Sequence, residues 1–191
     1  MRTGESNMRK NTVAFIVVLL LIVIVIGGLA IMLFGKNKKS EPVELGELMW
    51  FNYSPGYGDM NGSSHSESLE KGEDGKWVIV KRDRNMFSDP MEVTTYAVSD
   101  EALKKFLDFV REKNVLELCE REDSNLFITD YSAWYYGFTF DESSIGGSRI
   151  KSYNISQYKE YTDEDYKLLK ELDQQFADLH GEVISQSIEC N

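Results

Sequence analysis

The sequence predicts an α+β protein: one N-terminal transmembrane helix followed by a single domain with an antiparallel sheet and two amphipathic helices. Three observations predict it. Residues 13–34 form an unbroken apolar run. Beyond residue 45, short β-prone segments alternate with turn signals. Twice, the apolar spacing then changes from a period of two to a helical period. The order is strands, helix, strands, helix, so a β-hairpin/helix unit occurs twice, near residues 47–116 and 130–181. The halves share the arrangement without residue-level identity. Helices packed on one face of an antiparallel sheet are the architecture such an order favours.

The N-terminal run comes first. Val13 to Phe34 is 22 residues without a charged or strongly polar side chain. As a helix it reaches roughly 33 Å, enough for a hydrocarbon core of ~30 Å. Its many Val and Ile residues are poor helix formers in water, but in lipid unpaired backbone groups force the helix. Arg9 and Lys10 precede the run, and Lys36, Lys38 and Lys39 follow it. These five are the expected membrane-interface residues, reaching the headgroups from both ends. Gly28-Leu29-Ala30 offers a cleavage-like spacing of small residues. The apolar run continues through Phe34, which favours a retained signal-anchor. The expected organisation is a tail at 1–12, the span at 13–34, a basic juxtamembrane linker at 35–44 and an acidic α+β domain at 45–191. The basic residues flanking the span are nearly balanced. A short basic tail stays inside, so the expected location is the cell membrane, single-pass, with the C-terminal domain outside.

Within the domain, Glu47–Tyr53 reads as a first strand and Ser54–Ser64, dense in Gly, Ser and Asn, as a loop. Ser66–Arg82 reads as a hairpin turning at Asp74-Gly75, and Met91–Val98 as another strand. Ser99 or Asp100 caps a helix whose face is Leu103, Phe106, Leu107 and Val110, with Val98 and Leu103 as a hydrophobic staple. Asn114 stops it, and Asn114–Cys119 continues as a short strand or coil. Trp134, Tyr136, Phe138 and Phe140 alternate along a strand within Ser132–Phe140. Gly146-Gly147 turns into Arg149–Ile155. Thr162 and Asp165 form a capping box for a helix bearing Leu169, Leu172, Phe176 and Leu179, with Gly181 as its C-terminal cap. Glu182–Ile188 is a final short strand.

Composition excludes some classes of function. The chain has 21 Lys+Arg and 32 Asp+Glu; residues 1–40 hold six of the former and one of the latter, leaving 15 and 31. A domain carrying about −16 has no basic stripe for nucleic acid. It is also repelled from an anionic leaflet, so the bilayer is engaged through residues 13–34 and their flanking basic residues rather than through the domain. Two histidines and two cysteines, all far apart, give no zinc spacing. The acidic clusters lack the ligand alternation of an EF-hand. No cofactor is expected. Cys119 and Cys190 are a candidate disulfide pair, or two unrelated thiols; a bridge would close a long loop and stabilise by roughly 4 kcal/mol.

The expected function is that of a membrane-anchored extracytoplasmic protein, a non-enzymatic module that binds a partner protein or an envelope ligand. Its candidate ligand-binding residues are Trp50, Tyr53 and Tyr57, aromatics beside a Gly-rich loop, with His65 nearby. Such rings stack on a sugar or a peptide, although in a half-buried strand they also serve as core. One alternative is a structural subunit of a membrane complex, with Gly27-Gly28 and Ala30 allowing close helix approach. A further alternative is an envelope hydrolase using His65 with a nearby Ser or carboxylate. Its histidine lies in Gly62-Ser63-Ser64-His65-Ser66, which is no Gly-x-Ser-x-Gly elbow.

Overall fold

A computed structural model of the chain describes residues 44–56, 62–124, 133–146 and 149–189. The chain divides into two units, Met1–Glu41 and Pro42–Asn191, and the described residues belong to the second. The span expected at 13–34 and its five flanking basic residues lie outside the described residues, as do Tyr57 and Cys190. Among the described residues no helix is long and apolar enough to cross a membrane.

Seven strands are formed: β1 (Glu47–Ser54), β2 (Ser64–Lys71), β3 (Trp77–Arg84), β4 (Met91–Ala97), β5 (Tyr135–Asp141), β6 (Lys151–Ser156) and β7 (Val183–Glu189). Two main helices accompany them, α1 (Asp100–Glu112) and α2 (Asp163–Ala177). The protein is therefore α+β, with one sheet in the order β6-β5-β1-β2-β3-β4-β7. Every neighbouring pair is antiparallel. Two connections are long crossovers: α1 leads from β4 to β5, past three strands, and α2 leads from one edge, β6, to the other, β7.

One face of the sheet carries the core. Leu48 and Phe51, Leu69, Ile79, Tyr136, Phe138 and Phe140, and Tyr153 and Ile155 point to it from five strands. Leu103, Phe106 and Val110 of α1 and Leu169, Leu172 and Phe176 of α2 close over them. Phe51 is the hub, with ring centroids 5.5, 4.6 and 4.9 Å from Phe106, Phe138 and Phe176. The other face bears the opposite parity of each strand: a small cluster of Val78, Val80 and Val93 on β3 and β4, with Ser68, Asn52 and Thr139 on the strands beyond.

The local signals act where they stand. Ser99 Oγ accepts from the Ala102 N–H, and Val98 and Leu103 are both in the core beside it. Thr162 and Asp165 make the reciprocal capping box. Gly75 takes φ +76° in the β2–β3 turn, a conformation glycine adopts without a steric penalty.

Two elements differ from the sequence reading. Residues after Asn114 do not run out as a strand or coil. Asn114 adopts φ +50°, and Val115–Glu120 forms a 3-10 helix that buries Val115, Leu116 and Leu118. Asn tolerates the left-handed region, so the chain doubles back and three apolar side chains reach the core. Gly181 is not the left-handed cap of α2. The helix ends at Ala177 with Asp178 as C-cap in the right-handed region, and Leu179 and His180 extend it through tight turns. Gly181 instead meets a neighbouring strand: its N–H donates to the Ala97 carbonyl at 3.0 Å, and a Cβ there would stand 2.5 Å from that oxygen.

Candidate functional site

Strand registers and the path of α2 create a shelf at one end of the helix-bearing face. Tyr136 pairs with Tyr53, Tyr53 with Glu67, Glu67 with Lys81, and Lys81 with Thr94. This row crosses five strands, aromatic on the β5 side and charged on the β3 side. α2 runs beside it and continues to His180. Phe176 ties the two halves together, its ring 5.7 Å from Tyr53 and 5.5 Å from His180.

The aromatic half is a cup of about 310 Å³ lined by Tyr53, Pro55, Trp134, Tyr136, Tyr166, Leu169, Lys170 and Asp173. Tyr53 and Tyr136 stack with centroids 5.0 Å apart, and Trp134 tilts against Tyr136 at 5.8 Å. Tyr166, on the first turn of α2, is 55% exposed at the rim. The Tyr136 hydroxyl donates to Asp173 Oδ1 at 2.5 Å. Burial, and then the Asp173 carboxylate, push the Tyr136 phenol far above its ordinary range. Asp173 stands at the exposed rim. The neighbouring rings take enough water from its carboxylate to raise its pKa, against the lowering effect of the Tyr136 bond. Among the described residues Asp173 makes no ion pair. A carboxylate in partial desolvation, held by one neutral donor and surrounded by π faces, is an arrangement that attracts a cation.

The charged half gathers both histidines of the chain. His65 lies in β2 at the position opposite Asp83, and its Nδ1 is 2.8 Å from Asp83 Oδ1. Lys81 Nζ contacts the other oxygen of Asp83 at 3.1 Å. That carboxylate raises the lysine's pKa, more than burial lowers it. His180 Nε2 is 2.7 Å from Glu67 Oε2, and its Nδ1 faces the Ala177 carbonyl at 3.1 Å. Burial pulls the His180 ring down, but Glu67 together with the Ala177 and Phe176 backbone carbonyls holds it above its ordinary value. Ser54 Oγ donates to the backbone carbonyl of His65 at 3.4 Å rather than to its ring.

The structure separates the residues singled out in the sequence. Tyr53 lines the cup. Trp50 sits one residue before the core residue Phe51, so it faces the opposite side of the sheet, 39% exposed. His65 belongs to a strand rather than to the Gly-rich loop, because β2 pairs with β3 back to Ser64. Tyr57 lies outside the described residues. Cys119 is half-buried with its thiol 2.8 Å from the Leu116 carbonyl, and burial raises its pKa. Its candidate partner, Cys190, is not described.

Sequence reasoning missed Asp173, Tyr166, Glu67 and Asp83 as site residues. The Trp134/Tyr136 alternation was visible, and it marks one face of β5. That β5 lies beside β1, bringing Trp134 and Tyr136 to Tyr53, depends on a crossover of nearly forty residues that no local pattern encodes. Compared with known proteins, the chain matches no protein-family model, no curated protein and no solved structure.

Proposed function

We propose that this protein is a membrane-anchored extracytoplasmic binding module, tethered by residues 13–34, whose cup takes a cationic group of an envelope ligand or partner protein. The observation that carries the ligand class is Asp173: a rim carboxylate that makes no ion pair among the described residues, hydrogen-bonded to Tyr136 inside a cup of Tyr53, Trp134 and Tyr166. Aromatic faces and a carboxylate together favour an alkylated ammonium or a lysine side chain, with cation–π terms of roughly 0.5–2 kcal/mol per ring. The domain's excess of acids draws cations toward it at low salt.

The full-length protein in detergent micelles, titrated with tetramethylammonium and with a lysine-containing dipeptide, tests this. The Trp134 indole resonance should shift saturably, and Asp173→Asn should weaken binding about tenfold, a loss of one charge–charge contact at a partly exposed site. An indole signal unmoved across the titration, or an affinity of the Asp173→Asn protein equal to that of the parent, would refute it. The anchor has its own test. Alkaline carbonate should leave the full chain in the membrane pellet and release a variant lacking residues 13–34. Cysteine labelling from each side then reports which side holds the domain.

A second reading, an envelope hydrolase, is favoured by the His65–Asp83 contact at 2.8 Å, which orients an imidazole as a general base requires. Hydrolysis of a panel of chromogenic esters that is lost on His65→Gln and impaired by Asp83→Asn would support it. Activity equal in all three proteins would exclude it.

A further inference from the structure

The last strand, β7, forms one edge of the sheet, and all seven of its residues are exposed. Natural edges are blunted by lysine, proline or a covering segment. The opposite edge, β6, carries Lys151, and the chain beyond it is bridged by Asp123 to Lys159. β7 has no lysine and no proline, and Glu189 at its end is its only charge. Ile184 and Ile188 are 57% and 66% exposed. A register shift against β4 lies at the Val183 end, leaving Ser185–Glu189 regular.

The sequence of this edge reads the same in both directions: Ile184-Ser185-Gln186-Ser187-Ile188. We infer that β7 is a homodimerisation edge, pairing antiparallel with β7 of a second copy about a two-fold axis at Gln186. In that register Gln186 faces its own counterpart. Ser185 faces Ser187 of the second copy, and Ile184 faces Ile188. Alternation along a strand puts Ile184, Gln186 and Ile188 on one face, so each apolar side chain is matched with an apolar one and each hydroxyl with a hydroxyl. The two Glu189 carboxylates fall at opposite ends of the paired strands, so no like charges meet. An isologous contact of this kind closes on itself and does not propagate. A shift by one residue would set serine against isoleucine, and a shift by two would set Gln186 against an isoleucine and leave the other isoleucine without its apolar match, so the palindrome favours one register. A single strand pair falls at the small end of specific interfaces. The dimer is therefore weak, reversible and, between two acidic domains, tightened by salt.

The full-length protein in detergent, followed by light scattering across concentration, should show a monomer–dimer equilibrium. Directly opposed Cα atoms in an antiparallel pair lie about 4.5–5.5 Å apart, within disulfide reach. With Cys119 and Cys190 replaced by serine, Gln186→Cys should thus form an intermolecular disulfide under mild oxidant, whereas Ser156→Cys on the β6 edge should not. Paired substitutions test the register. Ile184→Lys with Ile188→Lys sets lysine against lysine and should raise the dimer Kd at least tenfold. Ile184→Lys with Ile188→Glu sets lysine against glutamate twice and should keep Kd within about threefold of the parent. Both positions are exposed, and circular dichroism matching the parent verifies folding. A monomer at every concentration, absence of the Gln186→Cys disulfide, or equal loss in both double variants would overturn the inference.

Discussion

Asp165 joins two parts of the fold that are distant in sequence, the end of the 3-10 helix and the N-terminal cap of α2, and its removal gives the sharpest test of the packing. Its carboxylate accepts from Arg121 Nη2 at 2.7 Å and Nε at 3.0 Å, a bidentate contact reaching back 44 residues to the end of the 3-10 helix. The same group accepts from the Thr162 N–H at 3.0 Å and hydroxyl at 2.9 Å, closing the N-terminal cap of α2. Its side chain is 7% exposed and that of Arg121 38%. Asp165→Asn keeps the shape and removes the charge. A hydrogen bond to a charged group contributes about 1.5–3 kcal/mol, and a capping interaction about 1. Arg121 is exposed enough to rehydrate, which discounts the ionic part. The expected loss is about 2 kcal/mol, or roughly 1 M in urea midpoint for a domain of this size. All three tryptophans lie beyond residue 40, so their fluorescence follows the unfolding of this domain in the full chain.

The difference should also depend on pH, with a determined sign. Arg121 foremost, with Thr162, holds the Asp165 carboxyl below its ordinary value of 3.8, outweighing burial. Its contribution is therefore complete above the unfolded pKa and is lost as pH falls through the lower, folded one. The gap between parent and variant should be constant from pH 7 to about 5 and close below about 4. A gap under about 0.5 kcal/mol at pH 7, or one that persists undiminished into strong acid, would refute the assignment.

The remaining predictions follow from single contacts. Gly46→Ala should destabilise by about 3 kcal/mol or prevent folding, because its Cβ would stand 2.1 Å from the Asp141 carbonyl oxygen and 2.8 Å from Glu142 Cα. Gly72→Ala, whose nearest neighbour would be 3.5 Å away, should stay within about 0.5 kcal/mol in the same urea assay. Phe51→Ala empties the junction of three other rings, and thermal unfolding should report a loss of about 3–5 kcal/mol. Glu67→Gln should lower the His180 pKa measured by NMR; since Glu67 raises it in the folded state, the stability lost is greatest below about pH 6.5 and vanishes at alkaline pH.

The parts of this fold legible in the sequence were the local ones. Ser99 and Thr162 announce the helices because a capping side chain needs only its own next three residues. Asp74-Gly75 announces the β2–β3 hairpin for the same reason. The alternation of Tyr136, Phe138 and Phe140 marks a strand with one buried face. Asn114 was legible as a stop, but what followed was not: Val115–Cys119 has neither a strand nor a helix period, and its conformation is set by the core that Leu116 and Leu118 reach. Gly181 looked like a cap because glycine after a helix usually is one. The Ala97 carbonyl that requires it belongs to a strand more than eighty residues earlier. The cup was illegible for a similar reason. Tyr53, Trp134 and Asp173 come from three segments that meet only through strand order, and the row Tyr136-Tyr53-Glu67-Lys81 exists only once three registers are known.

The path of α2 connects the two proposals physically and also limits how they interact. The helix supplies Tyr166, Leu169, Lys170 and Asp173 to the cup. Its end carries His180 and, through Gly181, enters the β7 edge. A ligand in the cup can influence that edge only by moving α2. The helix, however, is pinned along its length by Leu169, Leu172, Phe176 and Leu179, each 5% exposed or less. Asp165 at one end and the His180–Glu67 contact at the other fix its ends. Displacing a bar so packed would break core contacts that contribute more than one cation contact can return. The cup wall is thus preorganised by the same residues that hold the sheet together, so the proposed occupancy of the cup and the proposed pairing of β7 should be independent of each other.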